Sequence, residues 1–258
     1  MQNKSKISNF FVFIFVVISL SGCVTIYNPA TQRRETLLID TQEEVLLGGD
    51  MDQEIQKKLK VLVDPQMQHR LDIIGNKVAS ASDRTDLSYQ FRIVNDKELN
   101  AFAIPGGFIY VNSGLMNVAN NDELACVLGH ELGHIAARHS VKRLQTTLGY
   151  QIIMSIALGI GGNTSMGQAT DVVFSLVNLG YSRKDESLAD RLSVKYARRA
   201  GFNPYGAVTF FEKLKKEAQA QGPNFNLVFL SSHPPIEERI KNIQEEIKNV
   251  SYIPGSTP

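Results

Sequence analysis

Two histidines four residues apart, His130 and His134, enclose Glu131-Leu132-Gly133 within a stretch whose apolar residues Leu124, Leu128, Leu132 and Ile135 recur at spacings of four, four and three. That spacing predicts a helix with one face against a core. Side chains four apart on an α-helix are neighbours, so both imidazoles reach a single point, and Glu131, one position round, reaches whatever is bound there. Asn120, Asn121, Asp122 and Glu123 supply N-cap candidates and first-turn acids, and Lys142 and Arg143 suit the C-terminal end. Gly129 and Gly133 cost helix propensity but permit close packing by another element. Two partly buried imidazoles facing one point need a partner, and a metal cation serves both.

The rest of the chain supplies a scaffold around that helix. From Thr41 to about Ser82 the pattern is helical, divided by Asp64-Pro65, an N-cap followed by a first-turn proline. Tyr89 to Val94 alternates as a strand, and Ala101 to Ile104 and Phe108 to Asn112 flank Pro105-Gly106-Gly107 as a hairpin on a small sheet. After Ser182 a helix runs to Arg198-Arg199 and stops at Gly201. Asn203-Pro204 opens another and Pro235 the last, where Ile236, Ile240, Ile243 and Ile247 form an apolar seam. The expected class is α+β, mostly α-helical, with a small three-stranded sheet. Residues 148–180 are apolar and Gly-rich, but each run falls far short of the ~20 residues a membrane span needs. Buried helices or a flap near the site are expected there.

A metal that activates water takes three protein ligands and leaves one position open, which is the arrangement of catalytic zinc. His130 and His134 therefore need a third. A metzincin spacing would place Gly and His where Ala137 and Ser140 stand, with His139 one residue out of place. A thermolysin-type spacing would place Glu where Met154 stands. Glu186 is the strong remaining candidate. Ser182 with Asp185 makes a capping-box-like start, so Glu186 falls in the first turns of a helix and Asp190, four on, shares its face. Asp190 can then accept the second ring N–H of a ligand histidine. Acids at a helix start also suit the dipole without a metal, but a two-histidine site lacking a carboxylate favours the ligand reading. Cys126, one turn before His130, reads as a small buried apolar residue rather than a ligand.

The first residues obey a different rule. Lys4 and Lys6 precede an apolar run from Phe10 to Leu20, as in a secretory signal. The following Leu20-Ser21-Gly22-Cys23 resembles the lipobox of bacterial lipoproteins, in which the cysteine is acylated and becomes the mature N-terminus. Residues 1–22 are then a signal peptide, and Cys23 is the lipidation site that ties the chain to a membrane. Val24 after that cysteine implies sorting to the outer membrane, facing the periplasm, in a Gram-negative host. Two of the 27 basic residues lie in the signal, so the mature chain carries about one net negative charge. No basic tract points to nucleic acid.

Asn100-Ala101-Phe102-Ala103-Ile104-Pro105-Gly106-Gly107, Asn112-Ser113-Gly114-Leu115, His130 to His134, Glu186 to Asp190 and Ser232-His233-Pro234-Pro235 stand in one order along roughly residues 45 to 245. In these motifs the chain resembles the HtpX-type and CAAX-prenyl-protease-type zinc metallopeptidases, which are gluzincins. Within them it is similar to short bacterial lipoproteins related to the periplasmic protease BepA. The resemblance implies one Zn2+ per chain held by His130, His134 and Glu186, with Glu131 as general base on water and Asp190 as a catalytic or ligand-supporting acid. It implies that His233 lies near zinc, stabilising the oxyanion or occupying the open position. Read alone, His233 before two prolines is a loop histidine. Substrate strands are expected along Asn100, Ala101, Phe102 and Ala103, an edge strand lining the active-site cleft. Arg239 pairs with a site carboxylate or lies on the surface, and His69 is structural. The domain plan is a lipidated tether over 23–40, a metallopeptidase domain over 41–250 and a flexible tail over 251–258. The implied activity is endopeptidase cleavage of misfolded, stalled or misassembled envelope proteins, with outer-membrane assembly machinery as a possible partner. The alternative is a lipid-anchored chaperone or assembly factor with a latent zinc site. BepA carries a tetratricopeptide extension, and no 34-residue repeat occurs in this sequence.

Overall fold

The computed structural model describes residues 24–147, 180–221 and 236–251. In chain order these form strands β1 (Val24–Asn28) and β2 (Arg33–Leu37), helices α1 (Thr41–Lys58) and α2 (Pro65–Ser80), and strands β3 (Gln90–Val94), β4 (Ala101–Ile104) and β5 (Phe108–Asn112). Then follow helices α3 (Ser113–Val118), α4 (Asn121–Ala136), α5 (139–147), α6 (Arg183–Arg199), α7 (Gly206–Gln221) and α8 (Ile236–Ser251). The class is α+β and mostly helical, as expected. The expected signal peptide, Cys23, His233, nearly all of the apolar 148–180 segment and the tail beyond Ser251 lie outside the described residues. No helix among the described residues is long and apolar enough to cross a membrane.

Helices α1, α2, α4 and α6 begin where the sequence supplies an oxygen for their free N–H groups. The Asp64 carboxylate accepts from the amides of Gln66 and Met67, with Pro65 in the first turn. Asn120 with Glu123, and Ser182 with Asp185, close reciprocal capping boxes on α4 and α6. Asp40 with Glu43 does the same for α1.

In the three-stranded sheet β3 runs parallel to β5 and β4 runs antiparallel to it, which makes β4 an edge strand. The turn between β4 and β5 needs Gly106 at φ 82° and Gly107 at φ 97°, the left-handed region open to glycine. Both faces of the sheet are covered. Phe91, Ile93, Ala101, Ala103, Ile109 and Val111 enter the main core with α2, α4, α6 and α7. Val94, Phe102, Ile104 and Tyr110 enter a second core with Leu47, Met51 and Ile55 of α1. The two sets alternate along β4 with the period of a strand, and burial of both explains its unbroken apolar sequence. Phe102 stacks on Tyr110, its cross-strand partner, at 4.9 Å between ring centroids.

Helix α4 lies at the centre, and α6 packs along it at the two glycines. A Cβ on Gly129 would lie 3.2 Å from Ser193 Cα, and one on Gly133 3.1 Å from Ala189 Cα. Ser193 Oγ donates to the Cys126 carbonyl at 2.6 Å and fastens the two helices. Ile243 and Ile247 of α8 are buried in the same core.

Two features depart from expectation. Residues 24–37, expected within a tether, form an antiparallel hairpin in register from Val24↔Leu37 to Asn28↔Arg33. Asn28 Nδ2 donates to the Ala136 carbonyl at 3.1 Å, which binds the hairpin to the end of α4. The second concerns α4, which stops at Ala136 instead of running on to Lys142 and Arg143. Arg138 adopts φ 54° and reverses the chain. Its Nη2 donates to Thr41 Oγ1 at 2.7 Å, and its Nη1 lies 2.9 Å from Glu44 Oε2, a charge contact without hydrogen-bond geometry. Lys142 still serves the end of α4, but from α5, by donating to the Ala137 carbonyl at 2.7 Å.

Gly48 of α1 seats against the β4–β5 turn, where a Cβ would stand 2.1 Å from the Pro105 carbonyl oxygen. Alanine normally favours a helix interior over glycine by about 1 kcal/mol. Here Gly48→Ala is expected to lower the unfolding free energy by about 1–3 kcal/mol through overpacking. Urea denaturation reads this directly, and an unchanged or raised midpoint would mean that α1 does not rest on the turn.

Candidate metal centre

The close approach of α4 and α6 brings His130, His134 and Glu186 together, each almost wholly buried. The two Nε2 atoms are 3.0 Å apart. Glu186 Oε2 lies 3.5 Å from His130 Nε2, and Oε1 lies 3.4 Å from His134 Nε2. Ligands bonded to a tetrahedral ion at about 2.0–2.1 Å stand roughly 3.3 Å from one another. The three groups therefore outline one face of such a tetrahedron.

Charge points the same way. Glu131, Glu186 and Asp190 are three carboxylates no more than 4% exposed, beside one buried guanidinium, that of Arg239. With both imidazoles neutral, the ionised set has two surplus negative charges, which a divalent cation balances. Without a metal, a proton answers that demand. Burial opposes charge on His130, but Glu186 and then Asp190 reverse it and raise the ring pKa to about 9. The donor set thus fits a divalent ion of zinc type.

Asp190 stands behind His130, with Oδ1 3.0 Å from His130 Nδ1. Arg239 Nη2 is also 3.3 Å from that nitrogen. Nδ1 cannot donate to the carboxylate while accepting from the guanidinium, and the shorter, charge-assisted contact to Asp190 decides the tautomer, leaving the Nε2 lone pair toward the ligand set. Arg239 donates through Nε and Nη2 to Asp190 at 2.9 and 2.6 Å, and its Nη1 is 3.2 Å from Glu186 Oε2. It also covers the Phe211 ring, 4.7 Å from the centroid. Burial would raise the Asp190 pKa, but Arg239 and His130 hold it down at about 2. Of the two readings open for Arg239, the structure selects the buried ion pair.

Glu131 projects toward the sheet edge. Burial pushes its carboxyl up to about 7, against the pull of His130, and Oε1 has no hydrogen-bond partner among the described residues. The Ala103 main chain hydrogen-bonds this carboxylate. Asn112 donates its amide to the Asn100 carbonyl at 2.9 Å. The alternation of an antiparallel ladder then turns the main-chain groups of Ala101 and Ala103 away from β5, toward the edge. The side chains of Ala101, Phe102 and Ala103 are core residues and Asn100 is buried beside them, so contact with another chain here would be through the main chain. Cys126 sits in the core, its thiol pushed up to about 12 by burial, and does not join the ligand set.

Two neighbours of His134 escaped the sequence reading. His139 Nδ1 is 2.9 Å from His134 Nδ1, and Tyr181 stacks on the His134 ring at 3.9 Å between centroids. No helical periodicity relates residues five apart, and only the reversal at Arg138 returns His139 to the site. Tyr181 precedes the Ser182 cap, which was the one available signal for its position.

A model of peptidase family M48 matches residues 65–247, a span that holds every residue of this site. The chain belongs to peptidase family M48. It is a metalloendopeptidase, and its domain is of gluzincin type. Among M48-like relatives, it is 29% identical over 252 residues to metalloprotease LoiP of Escherichia coli (strain K12), covering 94% of this chain and 97% of that protein. It is 33% identical over 183 residues to metalloprotease YcaL of the same organism, covering 69% of each. It is 25% identical over 228 residues to the beta-barrel assembly-enhancing protease of that organism, covering 84% of this chain and 46% of that protein.

Arg239→Leu leaves buried carboxylates without their guanidinium. The metal-free protein is expected to lose about 3–5 kcal/mol of unfolding free energy, and added zinc should recover part of it by supplying positive charge. Urea titrations with and without zinc measure both effects. A loss below ~1 kcal/mol, the range of surface pairs, would place Arg239 outside the charge balance of the site.

Proposed function

We propose that this M48 metallopeptidase is a zinc endopeptidase anchored by lipid at Cys23, cleaving misfolded, stalled or misassembled proteins of the cell envelope. The observation that carries the catalytic part is the tetrahedral face made by His130, His134 and Glu186 with the buried Glu131 carboxylate beside it. His130, His134 and Glu186 would hold the ion. When bound, zinc supplies Lewis-acid activation of water and of the scissile carbonyl.

The chain's own groups do the rest. Glu131 takes the proton of the attacking water and passes it to the leaving amine, a role for which its buried carboxylate beside the ligand set is placed. Asp190 holds His130 in the tautomer that presents Nε2, and Arg239 keeps Asp190 ionised. A substrate strand lies along β4, whose outward main-chain groups recognise an extended backbone without demanding a particular sequence. This favours unfolded chains. Located beyond the described residues, His233 would act at the open side of the site, as an oxyanion donor or as an exchangeable fourth ligand.

The envelope setting has separate support. The signal-like run ending in Leu20-Ser21-Gly22-Cys23 supplies the anchor, with Val24 favouring the outer membrane and a periplasmic domain. The name of the E. coli relative, beta-barrel assembly-enhancing protease, favours envelope clients or their assembly machinery as partners. Hairpin β1–β2 follows Cys23 directly and docks on the end of α4, which gives the anchor a short, ordered link to the catalytic helix.

Glu131→Gln is expected to retain one zinc per chain while casein hydrolysis falls at least 100-fold, the lower range for loss of a general base. Metal analysis beside a fluorescent-casein assay checks both, and a chelator should abolish wild-type activity with zinc restoring it. Undiminished hydrolysis by the zinc-loaded mutant would remove Glu131 from the mechanism. The same mutant used as bait should retain envelope proteins that wild type degrades. Clients that both forms bind and neither cleaves would support an assembly factor instead.

A further inference from the structure

We propose that His139 is a positioning residue for His134, accepting a hydrogen bond from His134 Nδ1–H and so fixing the ring with Nε2 as its metal-binding atom. The proposal rests on the reading of His130, His134 and Glu186 as the metal ligands. The two Nδ1 atoms are 2.9 Å apart, a distance that requires one proton between them. His134 Nε2 faces His130 Nε2 and Glu186 Oε1, so binding a metal there needs a lone pair on Nε2 and the proton on Nδ1. His139 Nδ1 is then the acceptor and its own proton sits on Nε2, which lies 3.3 Å from Asp185 Oδ1. The ring nitrogens of His134 and His139 then have one consistent set of roles.

The fold builds this contact deliberately. Arg138, at φ 54° and held by Thr41 and Glu44, reverses the backbone directly after α4. The reversal brings His139 onto the edge of the His134 ring. Ser140, the next residue, shares a 2.7 Å hydrogen bond with the Tyr181 hydroxyl, and Tyr181 covers the face of that same ring. His134 is thereby fixed along one edge and one face. The two histidines of the site also differ in kind, since His130 is backed by a carboxylate and His134 by a neutral ring. A carboxylate in place of His139 would add a fourth negative charge to a site whose surplus already matches a divalent ion.

Competition with a chromogenic chelator, using the full purified chain, tests this. His139→Phe keeps a ring but removes the acceptor, and is expected to weaken zinc binding about 10–100-fold, the usual effect of losing a ligand's supporting partner. His139→Asn places an amide oxygen near the position of Nδ1 and should recover most of that loss. At saturating zinc, KM for a peptide should stay at the wild-type value, because His139 contacts His134 through the ring nitrogen turned away from the ligand set. Melting of the metal-free proteins verifies folding, and His139→Leu replaces the Phe variant if that one does not fold. A Phe or Leu variant that binds zinc as tightly as wild type overturns the role, as does an Asn variant as weak as Phe. Failure of wild type itself to bind zinc would overturn the metal reading and this inference together, whereas tight wild-type binding with indifferent variants removes His139 alone.

Discussion

The contact between α4 and α6 at Gly129 and Gly133 is the constraint on which the rest depends. Any side chain at these positions would meet the α6 backbone at 3.1–3.2 Å. The glycines bear a local cost in helix propensity, and the short separation they permit carries Glu186 and Asp190 to opposite sides of the His130 ring. Glu186 faces the Nε2 side and Asp190 the Nδ1 side. A one-turn spacing on each helix thus becomes a ligand set with its own hydrogen-bonded support. The sheet completes the arrangement from the other side, because β4 brings Ala103 to Glu131.

Burying this much charge is unfavourable unless each group has a counterpart. Arg239 answers Asp190 and part of Glu186, and the remaining negative charge seeks a cation, as the raised pKa of His130 shows. Structure and chemistry are coupled here. The same imbalance that would destabilise an empty core gives the site its affinity for a divalent ion, and binding that ion is expected to stabilise the fold.

Much of this was legible from local rules. Apolar spacing set the direction of α4, cap residues located the starts of α2, α4 and α6, and Pro105-Gly106-Gly107 located the turn between β4 and β5. His130, Glu131 and His134 follow from one helix and Glu186 with Asp190 from another, so pattern alone brings each group to a face. Their meeting is tertiary: spacing and the need for a carboxylate left Glu186 as the candidate, and the resemblance to known metallopeptidases implied the same pairing. What stayed hidden depends on contacts distant in sequence. Arg138 terminates α4 through Thr41 and Glu44, almost a hundred residues earlier, so an apparently continuous helical pattern breaks and His139 changes direction. Arg239 sits in an amphipathic helix where a surface position was equally plausible until α8 was placed against α6. The β1–β2 hairpin is held by Asn28 bonding the Ala136 carbonyl and by Lys142 donating to Glu35, contacts with no periodic signature.

The central claim is that α6 completes on α4 a metal site with two imidazoles and one carboxylate. X-ray absorption at the zinc edge tests it most directly on the zinc-loaded protein. The account predicts only nitrogen and oxygen neighbours at about 2.0–2.1 Å, two of them with imidazole scattering, and loss of one light-atom ligand in Glu186→Ala. A sulfur neighbour near 2.3 Å, or a spectrum unchanged by Glu186→Ala, would contradict it.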